Sequence, residues 1–189
     1  MNKFIIIEGV DNVGKDTQQN LIIKNLQELT FQTLHYSTLP FKNPEAYKEY
    51  STKMYDDMFR MMLALDNSHI SLIFNRSHLG EAVYSPMYRN YSGDYVFDIE
   101  KPYVNSLKDK LYLITLVGDP QILKMRDDGL SHSSELSNIE NEVRLFTKAH
   151  KMSNIKNKLL INIGSMNAID VNNHIMDFLE EKNICCYEA

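Results

Sequence analysis

Phe4–Gln18, FIIIEGVDNVGKDTQ, is the stretch that decides how this chain folds. Its opening residues, Phe4 to Ile7, are apolar and β-branched enough to read as a buried strand. They run into Gly9-Val10-Asp11-Asn12-Val13-Gly14-Lys15, the spacing G-x-x-x-x-G-K. At that spacing the glycines allow a tight turn with inward-facing N–H groups, the lysine reaches the β/γ-phosphates, and a helix begins with its positive end toward the same point. Strand, loop and helix in this order make a cradle for a nucleoside triphosphate such as ATP. Its cofactor-binding residues are Gly9, Asn12, Val13, Gly14, Lys15, Asp16 and Thr17.

The position after Lys15 usually carries a hydroxyl that ligates Mg²⁺, but here it is Asp16, followed by Thr17. A carboxylate is a good ligand for a hard cation, yet it adds negative charge beside a polyphosphate. Asp16 therefore either holds the metal, directly or through water, or caps the start of the helix. The G-K-D sequence also resembles the loop of some phage deoxynucleoside monophosphate kinases.

At 189 residues the chain is long enough for one well-buried domain and short for two. A net charge of -5 argues against broad electrostatic binding to duplex nucleic acid. A small anionic substrate needs only a few placed cations. No apolar run reaches the length of a membrane span, and the apolar core of MNKFIIIEG is too short for a signal peptide, so the sequence predicts a cytoplasmic protein. The two cysteines, Cys185 and Cys186, are adjacent, and no His or Cys cluster has metal-ligand spacing.

Beyond the loop, Leu21, Ile22, Leu26 and Leu29 recur at helical spacing from Lys15 to about Leu29. Thr33–Ser37 reads as a short strand, Pro40 and Pro44 mark a loop, and Glu45 to about Asp66 reads as a long helix carrying Arg60. Ser71–Phe74 reads as a central strand that delivers Asn75-Arg76-Ser77 to its C-terminal end, where ligands sit in open parallel sheets. A helix from His78 to Tyr88 is expected to break or bend near Pro86. Asn90–Lys101 reads as loop, Leu111–Val117 as a strong strand and Gln121–Arg126 as helix. Asp127–Asn138 loses apolar periodicity and reads as a mobile loop, the place for a lid. A helix through Ile139, Val143, Phe146 and Ala149, a strand at Leu159–Ile163 and a helix from about Ala168 to Glu180 complete the pattern. Strands alternating with helices predict an α/β fold in three layers, a parallel five-stranded sheet with helices on both faces.

With the loop and Asn75-Arg76 in place, the chain resembles the thymidylate kinase group of P-loop nucleoside monophosphate kinases, over most of its length. The first motif, F-E-G-x-D-x-x-G-K-x-T-Q, is matched by Glu8, Gly9, Asp11, Gly14, Lys15, Thr17 and Gln18, with Ile7 in place of the Phe. The second, D-R-Y-x-x-S-x-x-A-Y, is matched at Arg76 and Tyr84, with Val83 in the Ala position, Asn75 in the Asp position and Gly80 in the Ser position. Pro120 and Arg126 match a later Pro and Arg. The family's R-E-P appears as Thr38-Leu39-Pro40, without its Arg and carboxylate.

The resemblance implies that Lys15 and the loop amides hold ATP phosphates, that Arg76 meets the acceptor phosphate and Asp11 the acceptor sugar hydroxyl, and that Tyr84 packs on the deoxyribose. Arg126 with the following loop would form the lid. Lys15, Arg76, Arg126 and Glu8 are thus the candidate catalytic residues, Asp11, Arg60, Arg76, Glu81 and Tyr84 the substrate-binding candidates, and Asp16 the Mg²⁺ ligand. Plainer roles stay open for several. Glu8 could orient the loop, Asp11 could serve the turn, and Arg76 could pair with Glu81 or Glu8. Arg60 and Arg126 could be solvated, and Tyr84 could be a core aromatic. The expected reaction is transfer from ATP to a deoxynucleoside monophosphate. The alternatives are a kinase of a hydroxyl acceptor (a deoxynucleoside, or a hydroxymethyl-pyrimidine in DNA) and a nucleotide-binding regulatory module. Expected partners are a small nucleotide, nucleic acid only for the DNA-kinase alternative, no membrane, and a second copy of the chain if it forms a homodimer.

Overall fold

β1, Phe4–Gly9, is the middle strand of a five-stranded parallel sheet in a computed structural model that describes residues 2–36, 43–127, 129 and 131–184. The strand order is β2-β3-β1-β4-β5, with β2 at Thr30–His35, β3 at Ile70–Asn75, β4 at Leu111–Val117 and β5 at Asn157–Asn162. Every residue of β1 and β4 is buried. A strand buried on consecutive residues is covered on both faces, which is why these segments read as unbroken apolar runs. Helices α1 (Lys15–Asn25) and α7 (Ala168–Ile184) pack on each other, as do α3 (His78–Tyr84) and α6 (Leu136–Met152).

The remaining helices are α2 (Pro44–Ala64), α4 (Val96–Glu100) and α5 (Pro120–Met125). Two of them begin on the signals that the sequence carries. Asn43 Oδ1 accepts from Glu45 N at 2.9 Å ahead of Pro44, and Asp119 Oδ1 accepts from Gln121 N at 2.8 Å around Pro120. The chain crosses from β3 past β1 to β4, so the crevice at the C-terminal end of β1 lies where the connections part.

Five stretches differ from expectation. α1 ends at Asn25 and not near Leu29, because the chain must turn to enter β2 at Thr30. β2 starts three residues early, in register with β3 from Thr30↔Ile70 to His35↔Asn75; Ser37 to Lys42, including Thr38-Leu39-Pro40, lie outside the described residues, as do Cys185 and Cys186. The expected helix over His78–Tyr88 becomes α3 followed by a π-helical turn at Ser85–Arg89, with Pro86 near its start. Asn90–Lys101, read as loop, contains α4: Val96 and Phe97 are buried there, and Glu100 accepts from Ser153 Oγ at 2.8 Å. One helical turn is too short to show periodicity in sequence. The loop expected through Asn138 also stops early, since α6 starts at Leu136.

Candidate functional site: two chambers at the end of the first strand

The loop after β1 adopts a shape that side chains resist. Gly9 has φ 144°, and a Cβ there would stand 2.0 Å from the carbonyl oxygen of Leu116 on β4. Asn12 and Gly14 also have positive φ, 62° and 91°, so the backbone curls tightly between β1 and α1. Gly14 precedes the first turn of α1. Gln18 ties that helix to the start of α7 by donating to Ala168 O at 2.9 Å.

Lys15 is buried, and its Nζ donates to Gly9 O at 3.0 Å and Val10 O at 2.7 Å. Burial and the nearby Arg76 guanidinium lower its pKa to about 8. The ammonium is thus folded back on the loop's own carbonyls.

Asp16 stands in the first turn of α1. Its exposed carboxylate accepts from Asn75 Nδ2, at the end of β3. Asn75 is buried, and its Oδ1 has no hydrogen-bond partner among the described residues.

Arg76 follows Asn75 in the left-handed region, φ 72°. A non-glycine residue there costs on the order of 1–2 kcal/mol, and such outliers gather at functional sites. Its Nη2 donates to Asp11 Oδ1 at 3.0 Å. It pairs with neither Glu81 nor Glu8, the partners weighed from sequence.

Two hollows meet at Arg76. The phosphate chamber, about 370 Å³, is lined by Asp11, Asn12, Gly14, Lys15, Asp16, Thr17, Arg76, Arg126 and Ser131. The second, about 260 Å³, is lined by Glu8, Gly9, His35, Tyr36, Tyr55, Arg76, Ser77, Gly80, Glu81, Tyr84, Arg89, His132 and Phe146. A third hollow, about 200 Å³, continues from the phosphate side along Gly14, Thr17 and Arg126 to Ile163, Asn167 and Val171.

Glu8 is buried in the wall of the second chamber. Its Oε1 accepts from Ser77 N at 2.8 Å, Ser77 Oγ at 3.0 Å and Gly80 N at 3.2 Å, so the carboxylate fastens β1 to the start of α3. Tyr84 also lines this chamber, with ring centroids 4.9 Å from His132 and 5.7 Å from Phe146. Behind it, Glu142 on α6 accepts from Tyr88 Oη at 3.2 Å, and burial together with Asp11 raises its pKa to about 7.

Arg126 caps α5 and reaches the phosphate chamber and the third hollow. The chain beyond it rests on the loop, where Asn12 Nδ2 donates to Ser131 Oγ at 2.7 Å and to Asp127 Oδ1 at 3.4 Å. Asp11 borders the phosphate chamber, accepts from Arg76 Nη2, and accepts from the N–H of His132, a residue of the second chamber, at 3.5 Å. Arg60 points to solvent, held by Asp56 at 2.7 Å, and lines neither chamber. Ser77 arrives with Asn75 and Arg76 at the end of β3, as its place in the sequence implies, whereas Arg89, His35, Tyr36, Tyr55 and His132 line the second chamber without any local pattern that marks them.

No family model matches this sequence, and no curated protein matches it. Solved structures do share its fold. The YorR protein of Bacillus subtilis, determined in complex with phosphorylated GDP, has a TM-score of 0.67 at 19% identity, over 96% of this chain and 98% of that one. The thymidylate kinase of Candida albicans has a TM-score of 0.66 at 12% identity, over 96% of this chain and 92% of that one. The chain shares the fold of these two structures, a five-stranded parallel sheet with helices around it.

Proposed function

We propose that this protein transfers the terminal phosphoryl group of ATP to a deoxynucleoside monophosphate, as a thymidylate kinase-like enzyme. The observation that carries the reading is Arg76, whose side chain borders both chambers at once. Transfer between two bound phosphates needs a cation at the point where they meet, and little covalent help from the protein. Lys15 and the loop N–H groups hold the donor phosphates, and Arg126 adds charge from the segment that serves as lid. The third hollow takes the donor's nucleoside. Arg76, steadied by Asp11, draws the acceptor phosphate to the junction, and Tyr84 packs on its sugar. A monophosphate is mostly dianionic at neutral pH, its second pKa being about 6, so it needs no general base.

The donor set also fits Mg²⁺. Among the described residues no group of three or more His, Cys, Asp or Glu side chains could cage a metal. Mg²⁺ beside a polyphosphate needs only one or two protein oxygens, and the Asp16 carboxylate, which lines the phosphate chamber, would supply one. Bound there, the ion would neutralise charge on the donor phosphates.

A second reading, transfer to a hydroxyl, is favoured by Glu8. The donors from Ser77 and Gly80 all go to Oε1, which leaves Oε2 to act on the chamber side as a proton acceptor. A radiolabelled ATP transfer assay over nucleosides, nucleoside monophosphates and DNA separates the two. For a monophosphate acceptor, Arg76→Ala raises the acceptor KM by about one to two powers of ten, the worth of a charge-assisted contact, and Glu8→Gln keeps measurable activity. Activity only on nucleosides or DNA, with Glu8→Gln binding the acceptor normally but nearly inactive, overturns the first reading in favour of the second.

A further inference from the structure

The segment that follows Arg126 lays consecutive residues along the site. Ser131 lines the phosphate chamber, His132 the second chamber, and Ser133 a small hollow that Glu142 also lines. Asn12 of the donor loop fixes this stretch by donating to Ser131 Oγ at 2.7 Å, and the same hydroxyl donates to Asp127 Oδ1 at 2.8 Å. The imidazole of His132 lies against two tyrosines, its centroid 4.9 Å from the ring of Tyr84 and 5.4 Å from that of Tyr88. Hydrogen bonds on the backbone side and aromatic rings on the other set where the imidazole stands.

Packing accounts for the ring's carbon atoms and leaves its nitrogens over. Among the described residues neither ring nitrogen has a hydrogen-bond partner, and the side chain is exposed where it lines the chamber. A neutral imidazole offers one N–H donor and one acceptor nitrogen. What they meet follows from the place of Arg76. Asp11 accepts from Arg76 Nη2 through Oδ1 at 3.0 Å and from His132 N through Oδ2 at 3.5 Å, so one carboxylate holds both residues at the same end of the second chamber. That end adjoins the phosphate chamber, which Arg76 and Ser131 line.

A guanidinium only donates hydrogen bonds, so the group that answers it and an imidazole N–H together is an anion. An apolar group in the same place would leave the donors unmet. Building on the proposal that this chamber takes a nucleoside monophosphate, we infer that His132 is a second acceptor-binding residue beside Arg76, donating a ring N–H to the acceptor's phosphate. Asp11 is then the positioning residue for both donors. Asn12 borders the phosphate chamber and not the second one, yet it holds Ser131 and thereby His132, which ties acceptor binding to the donor loop.

The test is calorimetric titration of dTMP, dCMP, dAMP and dGMP, each beside its own deoxynucleoside, into the wild-type protein and His132→Phe, with ATP affinity as the control for folding. Phe keeps the packing on Tyr84 and Tyr88 and loses the N–H. The monophosphate that the wild-type protein binds best should bind His132→Phe about ten- to a hundredfold more weakly, with its deoxynucleoside unchanged and ATP affinity retained. An unchanged monophosphate affinity overturns the inference. So does an equal loss for monophosphate and deoxynucleoside, which would mean that the ring only shapes the chamber. Asn12→Gly, where glycine accepts the φ of 62°, should weaken the monophosphate in the otherwise wild-type protein and add nothing in His132→Phe; equal losses in the two backgrounds overturn the tie to the donor loop. Failure of the acceptor proposal looks different. The wild-type protein would then bind ATP but no nucleoside monophosphate, and the inference would fall with it.

Discussion

ATP affinity should fall steeply above pH 8, and the cause is the buried position of Lys15. With a pKa of about 8 in the free protein, its ammonium is mostly charged at pH 7, half charged at pH 8 and about one-tenth charged at pH 9. Bound phosphates favour the charged form, so the bound state holds the proton throughout this range, and the phosphates' own last ionisation, near pH 6, is already complete. Affinity should therefore drop about tenfold between pH 7 and pH 9, and binding at pH 8 should take up about half a proton. Titration calorimetry in buffers of different ionisation enthalpy reads both quantities. Lys15→Arg stays charged across the range, so whatever affinity it retains should be flat with pH. A wild-type affinity that changes less than about twofold from pH 7 to pH 9, without buffer-dependent heat, refutes the reasoning.

Two further outcomes are expected. If Asp16 takes over the missing hydroxyl's part, Asp16→Ala raises the Mg²⁺ concentration needed for half-maximal transfer and Asp16→Ser largely restores it; an unchanged Mg²⁺ titration in Asp16→Ala removes the carboxylate from the metal site. Glu142 has a folded pKa of about 7 against an ordinary 4.5, so the folded protein holds the extra proton between these values and loses stability as pH rises through them. Glu142→Gln should flatten that part of the stability curve in thermal melts, and a curve parallel to wild type would show that Glu142 ionises without penalty.

What the sequence determined by itself was whatever neighbours in the chain decide. The strand, glycine turn and helix of residues 4–18 depend on local dihedral preference and on the 2.0 and 3.6 residue periods, so they could be read directly, as could β4 and the proline-marked starts of α2 and α5. The same locality made Lys15 and Arg76 recognisable, one within the loop and one at a strand's end.

Tertiary structure decided the partners. Asp11 and Arg76 are 65 residues apart, and Asp16 and Asn75 are 59 apart. They meet because parallel pairing in the register Ile7↔Asn75 brings the ends of β1 and β3 together. Arg60, on a long helix, looked like a site cation because helical spacing does not say which face meets the chamber. Arg89 lies just past the helix expected over His78–Tyr88, and it meets Glu81 from the end of the π-helical turn at Ser85–Arg89. Neither a strand's register nor a one-residue change in helical winding has a pattern in the sequence, since both are chosen by packing against elements far along the chain.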